Sequence, residues 1–358
     1  MSDLSRSFAK TKLSSLPPEP PLFEETPQRT STSEDDLDGD SSSASSMSST
    51  GTVVPSASGP YKPAVALPWS EFFAQELWLE DSNPNAKYHA YLTPPATPKA
   101  ALVVLHHGAG SSAMSWALFA VELRKLLPDI GILAVEAREH GSVVYQPDGS
   151  IDNDLSIANL ASDLHRMITL TASKQNWPLL PRLLLVGHSL GGAVVTHLAS
   201  NCPADLRSKV LGYAVLDVVE GSAMDALKSM NQYLSTRPSH FPSLDQAITW
   251  HIRSRTLRNI ASAKASVPSL LVDDGAGRWT WKTDLSCTEA YWRDWFDGMS
   301  GKFLGGRGAK LLLLAGTDRL DRELMIGQMQ GEFRLPLATI TRHAEERYGK
   351  GDADVKTV

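Results

Sequence analysis

The stretch Arg182 to Ala199, RLLLVGHSLGGAVVTHLA, constrains this chain more than any other. An apolar run of strand type enters Gly187-His188-Ser189-Leu190-Gly191, and an apolar, alanine-containing segment of helix type leaves it. A strand, a sharp turn and a helix in that order form a nucleophile elbow. The turn holds its central residue at a strained backbone position, so its neighbours must be small, and Gly187, Gly191 and Gly192 meet that need. Ser189 is then expected above the end of a sheet as a nucleophile. The amide of Leu190 faces any oxyanion formed beside it. The competing reading is a serine that only caps a helix.

Other segments supply the sheet that such an elbow needs. ALVVLHHGAG, from Ala101 to Gly110, reads as a buried strand entering a glycine turn, and IGILAVEAREHG, from Ile130 to Gly141, repeats the pattern. Between that second strand and the serine strand, Leu160, Leu164, Met167 and Ile168 recur at helical spacing. KYHAYLTPP, from Lys87 to Pro95, alternates like an edge strand before a proline stop. Strands alternating with helices predict an α/β fold, a mostly parallel sheet with helices on both faces. Active residues of such sheets gather beyond the carboxyl ends of the strands.

That rule locates the other candidates. The loop His106-His107-Gly108-Ala109-Gly110 ends one strand, and its amides, with Ala109 or Gly110 foremost, are expected to complete an oxyanion hole with Leu190. His107 and His188 are read as histidines that orient loops, and Arg138 and His140 as loop braces, with substrate contact as the alternative for the latter pair. Asp217 and Asp318 each follow a strand, and either can orient a catalytic histidine. Strand order favours Asp318. His343 is the only histidine after Asp318, so it is the candidate base, in the order serine, acid, histidine.

Composition bears on the ends and on partners. Residues 1–67 are rich in Ser, Pro, Thr and acidic residues and too poor in large apolar side chains to offset the entropy of ordering, so they are expected to form a disordered tail. Residues 68–358 are the expected folded domain. Between Glu220 and Lys310 the strand pattern is suspended, and a helical cap inserted at about 221–305 is predicted, with Trp279, Trp281, Trp292, Trp295 and Phe296 as either walls of a groove or cap packing. A net charge of -6 without a basic block argues against nucleic acid. Two cysteines make no disulfide framework, and the histidines lack metal-ligand spacing, so neither metal nor cofactor is expected. There is no signal-peptide pattern and no membrane-length apolar run, so a soluble intracellular protein, cytoplasmic or nuclear and not membrane-bound, is expected.

Several blocks go beyond fold. GHSLGG, LDVVEGSAMDALKSM, FPSLDQAITWHIRSRTLRNIASA, TEAYWRDWFDGMS, LLLLAGTDRLDRELMIGQMQG and PWSEFF, spanning Pro68 to Phe333, resemble the protein phosphatase methylesterases, a family of alpha/beta-hydrolase fold. The family comprises carboxylesterases that demethylate the C-terminal leucine of the catalytic subunit of phosphatase type 2A. The resemblance implies a Ser-Asp-His triad in which LDVVEG carries the acid, assigning that role to Asp217 in place of Asp318. It implies Ser189 as nucleophile, His343 as base, and the methylated phosphatase tail as partner. The family's histidine stands in a Gly-His pair before a final helix. Here Thr341-Arg342-His343-Ala344 leads into a polar run, so the final helix is expected to be altered or missing. Three other readings remain: a small-molecule serine esterase or lipase of the same fold, a catalytically weak phosphatase-binding protein, and a serine peptidase.

Overall fold

The computed structural model describes residues 65–82, 85–314 and 320–335. The tail expected over 1–67 therefore falls outside the described residues except at its last three. Of these, Leu67 donates its N–H to the carbonyl of Lys264, 3.0 Å away. The C-terminal segment from 336 onward, with the final helix expected to be altered or missing, also lies outside them.

The strands are β1 (Gln75–Ser82), β2 (Asn85–Thr93), β3 (Leu102–His106), β4 (Gly131–Val135), β5 (Val143–Tyr145), β6 (Leu183–His188), β7 (Val210–Leu216), β8 (His240–Phe241), β9 (Leu271–Asp273), β10 (Trp279–Trp281) and β11 (Ala309–Leu313). The α-helices are α1 (Ala117–Leu126), α2 (Ile157–Lys174), α3 (Leu190–Ser200), α4 (Glu220–Thr236), α5 (Leu244–Arg253), α6 (Ile260–Ser266), α7 (Trp292–Phe296), α8 (Met299–Gly305) and α9 (Arg322–Met329).

The main sheet has the order β1-β2-β4-β3-β6-β7-β11, with β5 beside β2. From β4 to β11 every neighbouring pair is parallel, whereas β2 is antiparallel to β1, β4 and β5. β3 and β4 are buried along their whole length, as strands covered on both faces must be. The pleat divides their side chains between two cores. Leu102 and Val104 of β3 join the core under α2, α3 and α8, and Val103 and Leu105 join the one under α1.

The edge position expected for Lys87 to Pro95 is corrected. β2 lies inside the sheet between β1 and β4, and the edge is β1. Its polar alternation is confined to its first residues, while the run from Tyr88 to Thr93 is buried throughout.

The insertion after β7 holds helices and also a feature absent from the periodicity, a three-stranded sheet β8-β10-β9. The acidic, glycine-containing stretch Asp274-Gly275-Ala276-Gly277 joins β9 to β10, with Gly275 and Gly277 at φ 77° and 78°. Trp279 and Trp281 pack against the insertion's own core of Phe241, Ile248, Val267 and Leu271. Trp292, Trp295 and Phe296 are buried in the core of the main sheet, so they pack and do not wall a groove. The Trp295 indole N–H donates to the carbonyl of Leu155 at 2.8 Å, tying α7 to the segment before α2.

Candidate active site

Parallel strands bring their carboxyl ends to one margin of the sheet, and the loops after β3, β4, β6 and β7 meet there. His106 pairs with Val135 on one side and with Gly187 on the other, so the residues that follow each of these strands are neighbours.

Ser189 follows β6 and precedes α3 with φ 52° and ψ -122°, a conformation strained for a residue with a Cβ. The elbow persists because the backbone around it closes within contact distance. A Cβ on Gly187 would stand 2.0 Å from the carbonyl oxygen of Gly191, and one on Gly191 would stand 2.2 Å from the carbonyl oxygen of His106. The carbonyl of Ser189 accepts from the amides of Gly192 and Ala193, which starts the helix. The amide of Leu190, the first residue of α3, has no acceptor within the helix and stands at its positive end.

Asp217 directly follows β7. It too has positive φ, 56°, and its amide donates to the carbonyl of Leu313 at the end of β11, 2.8 Å away. Asp318 falls in 315–319 and His343 in the C-terminal segment, so both of these candidates lie outside the described residues.

The loop after β3 lies against the elbow, since a Cβ on Gly108 would be 3.1 Å from that of Ser189. Its two candidate amides differ. The Gly110 N–H donates to Nε2 of His140 at 2.8 Å, so its proton is engaged by an imidazole. Ala109 is the remaining amide of that pair. Gly110 itself has φ 67°, and Leu285 of the insertion packs on the space a side chain would take, which closes one side of the loop.

His107, Arg138 and His140 lie in a buried framework beneath these loops. His107 donates from Nδ1 to the carbonyl of Gly108 at 2.8 Å and accepts at Nε2 from the amide of Ala137 at 3.0 Å. It is thus a loop-orienting histidine. His140 donates from Nδ1 to the carbonyl of Arg138. Burial holds His140 down to about 4 and pushes His107 well below the usual imidazole range, with the neighbouring histidines adding to the shift of His107. Both rings are neutral at pH 7, as accepting at Nε2 requires. Arg138 makes a two-pronged pair with Asp163 at 2.8 and 2.9 Å and a further bond to Asp152 at 3.0 Å. Arg138 and His140 therefore brace loops and do not face a substrate. His188 is exposed beside the elbow.

Two framework residues had a weak signal in the chain. Asp163 interrupts the apolar face of α2, where a charge needs a partner, and it accepts from Tyr88 as well as from Arg138. Glu136, which follows β4 at once, is fully buried with Oε2 at 3.4 Å from His107 Nε2, and burial lifts its carboxyl to about 8. Among the described residues no group of three or more His, Cys, Asp or Glu is placed to hold a metal, and no helix is long and apolar enough to cross a membrane.

The model of the alpha/beta hydrolase family matches residues 103–349. Protein phosphatase methylesterase 1 of Aspergillus fumigatus is 52% identical over 360 residues, covering 96% of this chain and 84% of the relative. The Schizosaccharomyces pombe protein of the same name is 42% identical over 278 residues, covering 77% of this chain and 79% of that one. The chain belongs to the protein phosphatase methylesterase family. As a member it is an ester hydrolase with the alpha/beta hydrolase fold. The probable methylesterase 1 of Caenorhabditis elegans is 39% identical, covering 78% of the chain and 72% of the relative. E-2-(acetamidomethylene)succinate hydrolase, a solved structure at 14% identity with a TM-score of 0.56 over 74% of this chain and 90% of its own, shares the fold alone.

Proposed function

We propose that this chain removes the methyl ester from the C-terminal leucine of the catalytic subunit of phosphatase type 2A, releasing methanol, with Ser189 as nucleophile, Asp217 as acid and His343 as base. The observation that carries the reading is Ser189 at φ 52°, held by glycine contacts beside the open first amide of α3. The name of the relatives, protein phosphatase methylesterase 1, supports a methyl ester on a protein phosphatase as the substrate class.

In this mechanism His343 takes the proton of Ser189 as the hydroxyl oxygen attacks the ester carbonyl carbon. The oxygen that gains negative charge lies between the amides of Leu190 and Ala109. The tetrahedral adduct collapses, methoxide leaves with the proton from the histidine, and an acyl-enzyme remains. Water then gives a proton to the same base, attacks the acyl carbon, and frees Ser189 and the leucine carboxylate. Asp217 orients the imidazole. A lost oxyanion donor costs about 3 kcal/mol of transition-state stabilisation, so the two amides are a large share of the catalysis.

The test compares methanol release from the methylated catalytic subunit with hydrolysis of p-nitrophenyl acetate. Methylesterase function predicts a much higher kcat/KM for the protein substrate and loss of both activities in Ser189→Ala. Equal turnover of both substrates supports a small-molecule esterase instead, and phosphatase binding without methanol release supports a weak binding protein.

A further inference from the structure

The loops after β3 and β4 are cross-linked by two histidines in opposite directions. His107, from the β3 loop, accepts the amide of Ala137 in the β4 loop at 3.0 Å. His140, from the β4 loop, accepts the amide of Gly110 in the β3 loop at 2.8 Å. The rings stand 5.0 Å apart, and each has its Nδ1 proton fixed by a backbone carbonyl, of Gly108 for His107 and of Arg138 for His140. Both imidazoles are thereby held as the tautomer whose Nε2 accepts.

The His140 bond differs from its partner in what it acts upon. It takes the amide that follows Ala109, in a turn where Gly110 has φ 67° and no side chain to resist rotation. A glycine at that φ has other wells available, and in another well the Ala109–Gly110 peptide turns and no longer fixes Ala109 from its C-terminal side. The anchor behind His140 is firm. Arg138, whose carbonyl receives the Nδ1 proton, is locked to Asp163 by two bonds, and Asp163 is held by Tyr88 of β2. On the far side, Thr283 of the insertion donates to the carbonyl of Glu139 at 2.8 Å, next to His140 in the chain.

We propose that His140 is a positioning residue of the oxyanion hole: by accepting the Gly110 amide it fixes the Ala109–Gly110 peptide, while His107 holds the preceding Gly108 carbonyl, and the two planes together set the direction of the Ala109 N–H. The inference rests on the proposed hydrolase site and adds to it a residue that touches neither substrate nor Ser189. Its neutral state supports the role, because an imidazolium would offer Nε2–H to Gly110 in place of a lone pair. The charged and titratable groups that face it are Lys282, which disfavours a positive charge on His140, and His106 and His107, whose own protonation a charged His140 would oppose.

The experiment uses the full chain and p-nitrophenyl acetate, with phosphonylation of Ser189 by a fluorophosphonate as a second readout, since that reagent also places an oxygen in the hole. In His140→Ala, kcat and the phosphonylation rate are expected to fall between about tenfold and a hundredfold, less than for loss of a donor outright, with KM within about twofold. The oxygen of His140→Gln reaches the place of Nε2 and is expected to recover most of the loss. His140→Asn is too short and is expected to recover little. A folded His140→Ala with unchanged kcat, a change in KM alone, or equal rescue by Asn and Gln overturns the inference. Should the alanine variant fail to fold, the Gln and Asn pair decides. Ser189→Ala separates the two levels. Retained esterase activity there overturns the site reading and this inference together. An inactive Ser189→Ala beside a fully active His140→Ala overturns this inference alone.

Discussion

Replacing Glu136 by Gln tests the buried framework beneath the site. Burial lifts this carboxyl from an ordinary 4.5 to about 8, opposed in part by Lys282 and the amide of Ala113. The sign follows from proton counts. Between these two values the folded chain keeps a proton that the unfolded chain releases, so stability is full below pH 4.5 and declines as pH rises toward 8. At 1.36 kcal/mol per unit, the decline from pH 5 to pH 7 is about 3 kcal/mol. Glu136→Gln keeps the shape of the protonated acid and has no proton to lose. Its stability relative to the native chain is therefore expected to grow by about that amount over the same interval. The buried histidines, which destabilise toward low pH, are common to both proteins and cancel in the difference. Urea unfolding of both proteins at pH 5, 6, 7 and 8 measures it. Parallel curves across this range would refute the assignment of a neutral carboxyl at Glu136.

Other substitutions follow from the same contacts. Gly191→Ala puts a methyl 2.2 Å from the His106 carbonyl oxygen, so the elbow is expected to open, with a lowered Tm and loss of fluorophosphonate labelling; a native melt with full labelling would contradict the packing described. Asp163→Asn leaves the Arg138 guanidinium buried beside an uncharged partner, at a cost of about 3–5 kcal/mol readable by urea unfolding. Asp217→Asn is expected to lower kcat by about 10⁴ with native circular dichroism, as removal of a triad acid does. Asp318→Asn should leave most activity intact, and the reverse ranking would return the acid role to Asp318.

The elbow was legible in the chain because the backbone geometry at Ser189 admits only glycine at positions that the sequence shows directly. The parallel sheet was legible for a related reason: β3 and β4, covered on both faces, are written as unbroken apolar runs. β2 was misplaced because its exposed first residues alternate, while its burial depends on β1 lying outside it, a pairing no local pattern encodes. The small sheet of the insertion uses strands of two and three residues, too short to carry a period. Aromatic clustering near Trp292 could be read as packing or as a groove, and only the neighbours decide between them. The engagement of Gly110 was hidden because its acceptor lies 30 residues away in another loop, brought near by the register of β3 on β4. Asp163 on the apolar stripe of α2 was the one sign in the chain of the buried ion pair below.

On the proposed mechanism, Ser189 carries the acyl group in methyl-ester hydrolysis. The direct measurement mixes the full chain with the methylated phosphatase catalytic subunit, follows methanol during the first turnover, and maps the rapidly quenched protein by mass. Methanol release, a transient leucyl ester on the peptide that contains Ser189, and the loss of both in Ser189→Ala are expected. Methanol released by Ser189→Ala at a rate within tenfold of the native chain, or an acyl group found on another residue, would contradict it.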